Sequence, residues 1–420
     1  MNKIILCFLI ISMSAYSIAD EKKELSTKND YQEVLLEVNK VGAEINKNIQ
    51  GKNIVEKINY LEMLLDKYAD NSLLLDFIKQ NISFYYSLAG LHQKVLENEY
   101  RDWEGKSPPD KLVGYKTKDA VNEILKHAKD HRIVMVNEAH HIAQHRVLTY
   151  RLLPKLWEQG YRYFAAEAFG KSAAMELEKG YVSHEVGYYT VESLYANLVL
   201  KAKEIGFEII SYDMHKPSKL NTTDERETDS ALIIKEKVFD KDPKAKIIIH
   251  VGFAHINEET WLASKLKEMT GLETFTIDQT TRTEKINVKY EHSSYTKAVE
   301  DTKLKYPFVF VKDDKIWSSG ENKSDITAFW PRTIYVDGRP EWASLGRKKY
   351  NISSKDCENS YPCIIEVFKF KHKDEVPLDK IVILSPQDNK AVFLSPGKNT
   401  LVITNANNKQ VEKVVMHNES

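Results

Sequence analysis

Between residues 130 and 280 the chain alternates between two spacings of hydrophobic residues. Short apolar runs rich in β-branched residues predict strands, and longer segments with an apolar residue every three or four positions predict helices. The predicted strands are 133–136, 162–166, 207–212, 246–251 and 273–277, and the predicted helices are 143–158, 191–204, 224–239 and 257–269. This alternation is typical of an α/β fold, in which a mostly parallel sheet is flanked by helices.

The two ends of the chain have different patterns. Residues 30–103 repeat apolar positions at helical spacing, which predicts three or four amphipathic helices. The last third contains short strand-like runs at 307–311, 333–336, 364–370, 381–384, 391–394 and 401–404. We therefore predict an N-terminal helical segment over 20–112, an α/β domain over 113–285 and a C-terminal β-rich module over 286–420. The expected form of this module is a small antiparallel sandwich or barrel.

The first nineteen residues have the features of a signal peptide. Lys3 is followed by an apolar run over 4–13, and small residues at Ser17 and Ala19 precede the charged segment that begins at Asp20. The apolar run is shorter than the roughly 20 residues that a membrane span needs. We expect a protein that is exported to the periplasm or secreted, with no transmembrane anchor after cleavage.

Cysteine usage agrees with export. Removal of the signal peptide removes Cys7 and leaves Cys357 and Cys363 on either side of a turn-like loop. In an oxidising compartment such a pair predicts one local disulfide, and two free thiols are the alternative. A zinc site is disfavoured because no second cysteine or histidine pair lies nearby.

Composition and charge exclude some partners. The 420-residue chain has 42% hydrophobic and 29% charged residues and a formal net charge of -1, which describes an ordinary globular protein. No basic excess favours nucleic acid. The expected partner is a small-molecule or peptide substrate.

Seven of the thirteen histidines lie between residues 140 and 255, and most of them follow a predicted strand. The polar groups at the four strand ends are Glu138, His140 and His141; Glu167; Asp213 and His215; and His250 and His255. Because the carboxyl ends of parallel strands meet at one edge of a sheet, these groups are expected to converge. Carboxylates and imidazoles placed together indicate general acid and base chemistry.

Residues 125–280 resemble the erythromycin-esterase-like and ChaN-like haem-uptake group, to which the TraB and Tiki proteins are related. The likeness is carried by the motif Asn-Glu138-Ala-His-His141, an arginine-bearing helix, an aromatic strand that ends at Glu167, and the motif His250-x-Gly-x-x-His255. In the esterase branch the first motif reads Gly-Glu-x-x-His, and this chain has Asn137 in place of the glycine.

The resemblance implies a role for each matched residue. His141 would activate water, Glu138 and Glu167 would be its acidic partners, and His250 or His255 would contribute from a distant strand. The segment that contains Arg226 looks like the Arg-Asp/Glu helix start of the esterase branch. The arginine that follows His141 is either Arg146 or Arg151.

The residues themselves support the same chemistry. A histidine beside carboxylates is held in one tautomer and can take a proton from a water that attacks an ester or amide carbonyl. Glu138 and His141 are expected on one face of a first helical turn, and Arg226 supplies positive charge for an oxyanion. No Gly-x-Ser-x-Gly motif is present and neither cysteine near the C-terminus is close to the histidines, which disfavours a covalent nucleophile.

The first hypothesis is a hydrolase that needs no cofactor, and two alternative functions remain. A divalent metal for peptide cleavage, as in the Tiki relatives, would use His141, His145, Glu167 and His255. However, His-Glu-x-x-His is absent and His145 is expected to face solvent. A haem-binding protein without turnover would find axial candidates in Tyr212, Met214 and His215.

Overall fold

The computed structural model describes residues 28–98, 110–167, 169–213 and 222–417. The chain divides into two compact units, residues 1–102 and 103–420. The predicted signal peptide over 1–19 lies outside the described residues, as do Met214 and His215.

The first unit is helical, as the sequence predicts. Within its described residues, 28–98, the helices are α1 (Lys28–Ile49), α2 (Ile54–Lys67), α3 (Ser72–Leu88) and α4 (His92–Glu97). Asn53 begins α2 with a capping box, in which its side chain accepts from the Glu56 backbone and the Glu56 side chain accepts from the Asn53 backbone. Asn71 caps α3 in a similar way through the Leu74 amide.

The second unit is built around a six-stranded parallel sheet, which confirms the predicted α/β fold. The strands of this part of the unit, which belong to two sheets, are β1 (Lys116–Asp119), β2 (Ile133–Glu138), β3 (Tyr163–Ala166), β4 (Glu208–Ile210), β5 (Ile247–Gly252), β6 (Thr274–Asp278), β7 (Phe308–Lys312), β8 (Lys315–Ile316) and β9 (Ile326–Thr327). The parallel sheet has the order β4-β3-β5-β2-β6-β9, and β1, β7 and β8 form a separate antiparallel sheet. The helices are α5 (Ala120–Ala128), α6 (Gln144–Glu158), α7 (Ala173–Leu177), α8 (Ser193–Ile205), α9 (Thr223–Ile234), α10 (Leu262–Thr270) and α11 (Ser293–Asp301).

The centre of the sheet is buried on both faces. Every residue of β2 and β5 is buried. Burial on both faces is the reason that each of these strands begins with an unbroken run of apolar residues in the sequence. Gly206 and Gly271 end α8 and α10 in the left-handed conformation, which glycine adopts without a steric penalty.

Two predicted helices differ from the structure. The predicted helix 224–239 is α9 followed by a π-helical turn over Lys235–Phe239. The predicted helix 257–269 starts later, at Leu262, and a 3-10 turn over Phe253–Ile256 precedes it.

The C-terminal residues form antiparallel sheets. The strands are β10 (Tyr335–Val336), β11 (Arg339–Pro340), β12 (Lys348–Asn351), β13 (Cys363–Phe368), β14 (Asp379–Ile383), β15 (Ala391–Leu394), β16 (Gly397–Thr404) and β17 (Gln410–His417). Four of them pair in the order β14-β13-β16-β17, and β12 pairs with β15. Side chains of both sheets share one hydrophobic core, and this core contains the disulfide between Cys357 and Cys363, whose Cα atoms are 5.9 Å apart. The module boundary at residue 285 stays a prediction. Strand β9 lies beyond that residue, and it pairs with β6 of the parallel sheet.

Among the helices of the described residues, none combines the length and the apolar character needed to cross a membrane.

Candidate active site

The candidate site lies at the carboxyl ends of three adjacent strands. Glu138 is the last residue of β2 and pairs with Gly252, the last residue of β5. Glu167 directly follows β3, and its amide donates to the His250 carbonyl at 3.0 Å. Parallel pairing therefore brings residues more than a hundred positions apart in the chain to one edge of the sheet.

Glu138 is the centre of a buried hydrogen-bond network. Its Oε1 accepts from His140 Nδ1 at 2.8 Å and from Arg146 Nη2 at 3.2 Å. Its Oε2 accepts from Arg146 Nε at 2.8 Å and from His250 Nε2 at 2.9 Å. With four donors around two oxygens, this carboxylate has little capacity left for a substrate. Its role is therefore to orient the residues around it.

Glu138 is held in its ionised form. Burial alone would raise the pKa of Glu138, but the charge of Arg146, followed by that of His250, outweighs burial and holds the pKa well below its usual range. The carboxylate can then only accept hydrogen bonds. His140 and His250 must each donate to it, which determines where each ring carries a proton.

Of the two candidate arginines, Arg146 is the one that contacts Glu138. It is fully buried, and it also donates to Glu192 Oε2 at 2.6 Å and to the His140 carbonyl at 2.6 Å. Burial lowers the pKa of Arg146, but the charges of Glu138 and Glu192 outweigh burial and raise it. The alternative, Arg151, instead stacks on the Tyr306 ring at 3.9 Å.

His250 is a fully buried partner of Glu138. Nε2 donates to the carboxylate, and Nδ1 is hydrogen-bonded to the hydroxyl of Thr149 at 2.9 Å. Both ring nitrogens are thus engaged by protein groups. His250 supports the site from beneath and has no face for a substrate.

His140, a secondary candidate in the sequence, is the histidine that joins the two carboxylates. Nδ1 donates to Glu138, and Nε2 lies 3.5 Å from Glu167 Oε2. The ring also stacks on Tyr189, with centroids 3.9 Å apart and an interplanar angle of 14°. These contacts orient the ring from two sides and from one face.

The expectation that Glu138 and His141 share a helical turn is wrong. Glu138 ends strand β2, and His141 lies in the turn that precedes α6, where it is buried. The strand directs Glu138 toward His140 instead. His141 stays a predicted site residue.

The expectation that His145 faces solvent is also wrong. His145 is 1% exposed, and its Nδ1 accepts from the Ala139 amide at 3.0 Å. Burial lowers the pKa of His145 to about 3, so the ring is neutral. It braces the turn between β2 and α6 from within.

Glu167 is the second carboxylate of the site. Its Oε2 accepts from the Gly252 amide at 2.7 Å, and its Oε1 accepts from Arg226 Nη2 at 3.2 Å. Burial would raise the pKa of Glu167, but the positive charges around it, that of His255 first, outweigh burial and hold the pKa well below its usual range. Glu167 is therefore an anion surrounded by donors.

His255 lies between two carboxylates. Its Nδ1 is 2.7 Å from Glu227 Oε2, and its Nε2 is 3.5 Å from Glu167 Oε1. Burial lowers the pKa of His255, but the charges of Glu227 and Glu167 outweigh burial and raise the pKa to about 10. His255 is therefore an imidazolium at neutral pH and cannot act there as a base.

Exposure increases from one side of the cluster to the other. The side chain of Glu138 is 1% exposed, and those of Glu167 and His140 are 6% and 7% exposed. The side chains of Asp213 and Arg226 are 15% and 23% exposed. Arg226 donates to both oxygens of Asp213 at 3.3 Å. The site therefore meets solvent at Arg226 and Asp213, and Glu138 lies at its base.

Asn137 links the ends of three strands through its side-chain amide. Its amide nitrogen donates to the Phe253 carbonyl at 3.0 Å and to Asp278 Oδ1 at 2.9 Å. Its amide oxygen accepts from the Gln279 backbone at 2.8 Å. The side chain thus links β2 to the residues that follow β5 and β6.

Several residues of the site were not identified from the sequence. They are Glu192, which holds Arg146; Glu227, which holds His255; Thr149, which holds His250; and Tyr189, which stacks on His140. Only Glu227 had a local signal, because it is adjacent to Arg226 at the start of α9. The others come from positions that resemble ordinary helix and loop sequence.

The alternative metal set is not assembled as a ligand group. Within the described residues, no three or more His, Cys, Asp and Glu side chains are arranged to hold a metal ion. One member of the set, His145, already uses Nδ1 to accept from a backbone amide.

No family model and no curated protein matches this chain. Two solved structures show weak similarity. The type III effector HopBA1 has 14% sequence identity and a TM-score of 0.30, and the match covers 44% of this chain and 96% of that one. RRSP, a MARTX toxin effector domain from Vibrio vulnificus, has 17% identity and a TM-score of 0.29, and the match covers 57% of this chain and 51% of that one. At these scores neither likeness carries an argument about function.

Proposed function

We propose that this protein is a hydrolase of the erythromycin-esterase-like kind, in which an activated water attacks an ester or amide bond. The observation that carries the proposal is the position of His140 between Glu138 and Glu167. One carboxylate fixes the proton on Nδ1, and the other faces Nε2. In this arrangement His140 is a general base that a carboxylate orients, and water is the nucleophile where other hydrolases use a serine hydroxyl or a cysteine thiol.

The proton path follows from the tautomer. As water attacks the carbonyl carbon, its proton moves to His140 Nε2, and Glu167 stabilises the imidazolium that forms. The same proton then passes to the leaving oxygen or nitrogen as the carbonyl bond to it breaks. Of the two adjacent histidines we therefore assign this role to His140, in place of the predicted His141.

Positive charge near the same carboxylate supports the attack of water on the carbonyl. His255 is an imidazolium and Arg226 a guanidinium, and both contact Glu167. These fixed cations stabilise the oxyanion that develops on the carbonyl oxygen. Their partners Glu227 and Asp213 keep them in place when no substrate is bound.

The proposal includes the cellular location. The disulfide between Cys357 and Cys363 agrees with an oxidising compartment. Together with the signal-like first nineteen residues, it supports a protein that is periplasmic or secreted and meets its small-molecule or peptide substrate there.

The test is a panel of para-nitrophenyl esters and para-nitroanilides. His140→Gln is expected to lower kcat/KM for any hydrolysed substrate by ~100-fold or more, since loss of a general base typically costs this much. His372→Gln, which changes an exposed histidine outside the cluster, is the matched control and should retain activity. His141→Gln separates the two adjacent histidines.

Two alternatives have distinct outcomes in the same assay. Activity that is lost on chelation and returns with zinc would support a metal-dependent protease. A Soret band on titration with haem, without hydrolysis of any substrate, would support a haem-binding protein. Equal activity of the wild type and His140→Gln would contradict the assignment of the base.

A further inference from the structure

We propose that the C-terminal β-rich module positions the active site, and that Asp374 is a positioning residue for the base His140. The module segment 374–378 holds the arm, residues 169–192, and the arm in turn orients His140. The inference rests on the proposed function and adds to it how the same site is controlled. It comes from hydrogen bonds that join the module to the chain on both sides of the residues that contact the base.

The arm connects two parts of the candidate site. It starts two residues after Glu167, and Tyr189 near its end stacks on the His140 ring with centroids 3.9 Å apart. Its last residue, Glu192, accepts from Arg146 Nη1 at 2.6 Å. Tyr189 and Glu192 are 1% and 2% exposed, so water does not compete with either contact. The course of the arm therefore decides how His140 and Arg146 are oriented.

The module binds the arm through backbone hydrogen bonds of the antiparallel kind. The Val376 amide donates to the Val182 carbonyl at 2.8 Å, and the His184 amide donates to the Asp374 carbonyl at 2.9 Å. The residues between these two bonds face each other in an antiparallel bridge. Val182 and Val376 are buried, and a buried backbone amide that lost its partner would destabilise the protein. The arm is therefore fixed to the module along this contact.

Asp374 strengthens the contact with its side chain. Its Oδ1 accepts from the Tyr181 hydroxyl at 2.9 Å, and its Oδ2 accepts from Lys179 Nζ at 3.1 Å. The hydrogen bond from Tyr181, followed by that from Lys179, lowers the pKa of Asp374, so the carboxylate is ionised at neutral pH. The exposed His372 ring also stacks on Tyr181, with centroids 4.4 Å apart, but His372→Gln leaves these hydrogen bonds in place. Removal of the Asp374 side chain is therefore the change that weakens this contact directly.

The same module segment also holds the chain that follows the arm. Asn197 of α8 donates from Nδ2 to the Leu378 carbonyl at 2.8 Å. Glu192 caps this helix, since its side chain accepts from the Tyr195 amide at 3.0 Å. Module contacts thus lie on both sides of Tyr189 and Glu192 along the chain, and a loss on the arm side should disturb the position of both.

A weakened contact should affect catalysis more than substrate binding. Glu138 ends strand β2 and Glu167 follows β3, so both carboxylates are held by the sheet. The His140 ring, in contrast, would lose the Tyr189 face that keeps it aligned. A catalytic group displaced by about 1 Å can act ~100-fold more slowly. We therefore expect kcat to fall while KM changes little, as for an interaction that is needed only in the transition state.

The kinetic test compares two substitutions of Asp374 in the mature protein, with a para-nitrophenyl ester that the wild type hydrolyses. Asp374→Ala should lower kcat by ~10-fold and change KM by less than about twofold. Asp374→Asn keeps an oxygen that accepts from Tyr181 and should retain kcat within about threefold. Asp388→Ala removes another carboxylate of the module that accepts from a lysine, and this matched control should behave as the wild type. Equal kcat for the wild type and Asp374→Ala would overturn the proposal.

A double-mutant cycle identifies the route from Asp374 to the base. Tyr189→Leu removes the stacked ring and should also lower kcat by ~10-fold. If Asp374 acts through that ring, the double variant should be at most about twofold slower than the slower single variant. Single effects that multiply to ~100-fold in the double variant would show that the two residues act independently, and would overturn the proposed route.

Hydrogen–deuterium exchange separates this proposal from the proposed function, because the measurement needs no substrate. In Asp374→Ala the amides of residues 182–192 should exchange at least ~10-fold faster than in the wild type, whereas those of β2 and β5 should not change. Equal acceleration in β2 and β5 would indicate a global loss of stability and would contradict the positioning role. Hydrolysis by the wild type together with unchanged exchange in Asp374→Ala would refute the arm contact and leave the hydrolase. Faster exchange in the arm, with no substrate hydrolysed by the wild type, would refute the hydrolase and leave the contact.

Discussion

Replacement of Gly252 by alanine tests whether His140 and Glu167 meet as described. The backbone of Gly252 is extended, with φ -79 and ψ 150, so an alanine meets no conformational penalty there. A Cβ atom, however, would lie 2.4 Å from His140 Nε2 and 2.8 Å from Glu167 Oε2. Non-bonded heavy atoms need about 3.5 Å, so the imidazole must move by about 1 Å.

Two effects of Gly252→Ala follow. Overpacking of a buried site typically costs ~1–3 kcal/mol, and the free energy of unfolding should fall by this amount in urea denaturation. A displacement of about 1 Å of a group that activates water should lower kcat/KM by ~100-fold. Loss of activity should therefore exceed what the loss of stability explains.

Val251→Ala is the matched control. Val251 precedes Gly252 in β5 but packs in the hydrophobic core beneath the sheet. Its truncation should cost about 2 kcal/mol of stability and leave kcat/KM within about twofold. A Gly252→Ala protein with the stability and kinetics of the wild type would refute the described contact between His140 and Glu167.

Three further changes have defined outcomes. The pKa of His255 is raised from 6.5 to about 10 in the folded state, so its stabilising effect is complete below pH ~6.5 and is lost as the pH rises toward ~10. The free energy of unfolding measured in urea should therefore fall across this pH interval, and in His255→Gln it should change less with pH. Arg146→Lys cannot reproduce the forked contacts of a fully buried guanidinium and should lower the free energy of unfolding by ~3–5 kcal/mol. Replacement of the exposed Arg162 by lysine is the control and should change the free energy of unfolding little. Similar values for the two variants would contradict the buried network. Joint replacement of Cys357 and Cys363 by serine should lower the free energy of unfolding by about 2 kcal/mol, the value for a short closed loop, and an unchanged denaturation midpoint would argue against the disulfide.

The elements of the α/β domain were predictable because their signals are local. The run that begins at Ile133 predicts a strand to Val136, and the observed strand β2 extends to Glu138. The helix expected over 143–158 is α6, from Gln144 to Glu158. In each case hydrophobic periodicity and glycine positions determine the element, and both are properties of a few neighbouring residues.

The direction of individual side chains was not predictable in the same way. His140 and His141 are adjacent, and only the course of the chain after β2 decides which of them meets Glu138. His145 has the same spacing as a solvent-facing helical residue, yet it is buried because α6 turns that side toward the Ala139 amide. Arg146 and Arg151 were equivalent by spacing, and the packing of α6 selected the first.

The α/β class, the helical and β-rich flanks, the cysteine pair, and the strand ends where acids and histidines accumulate can all be predicted from the amino-acid sequence. These depend on composition and short-range spacing, which the chain carries in any context. The ion pairs of Glu192 with Arg146 and of Glu227 with His255 become visible only in the folded chain. Such pairs form between distant segments, and their charges become strong determinants of protonation only after folding removes water from around them.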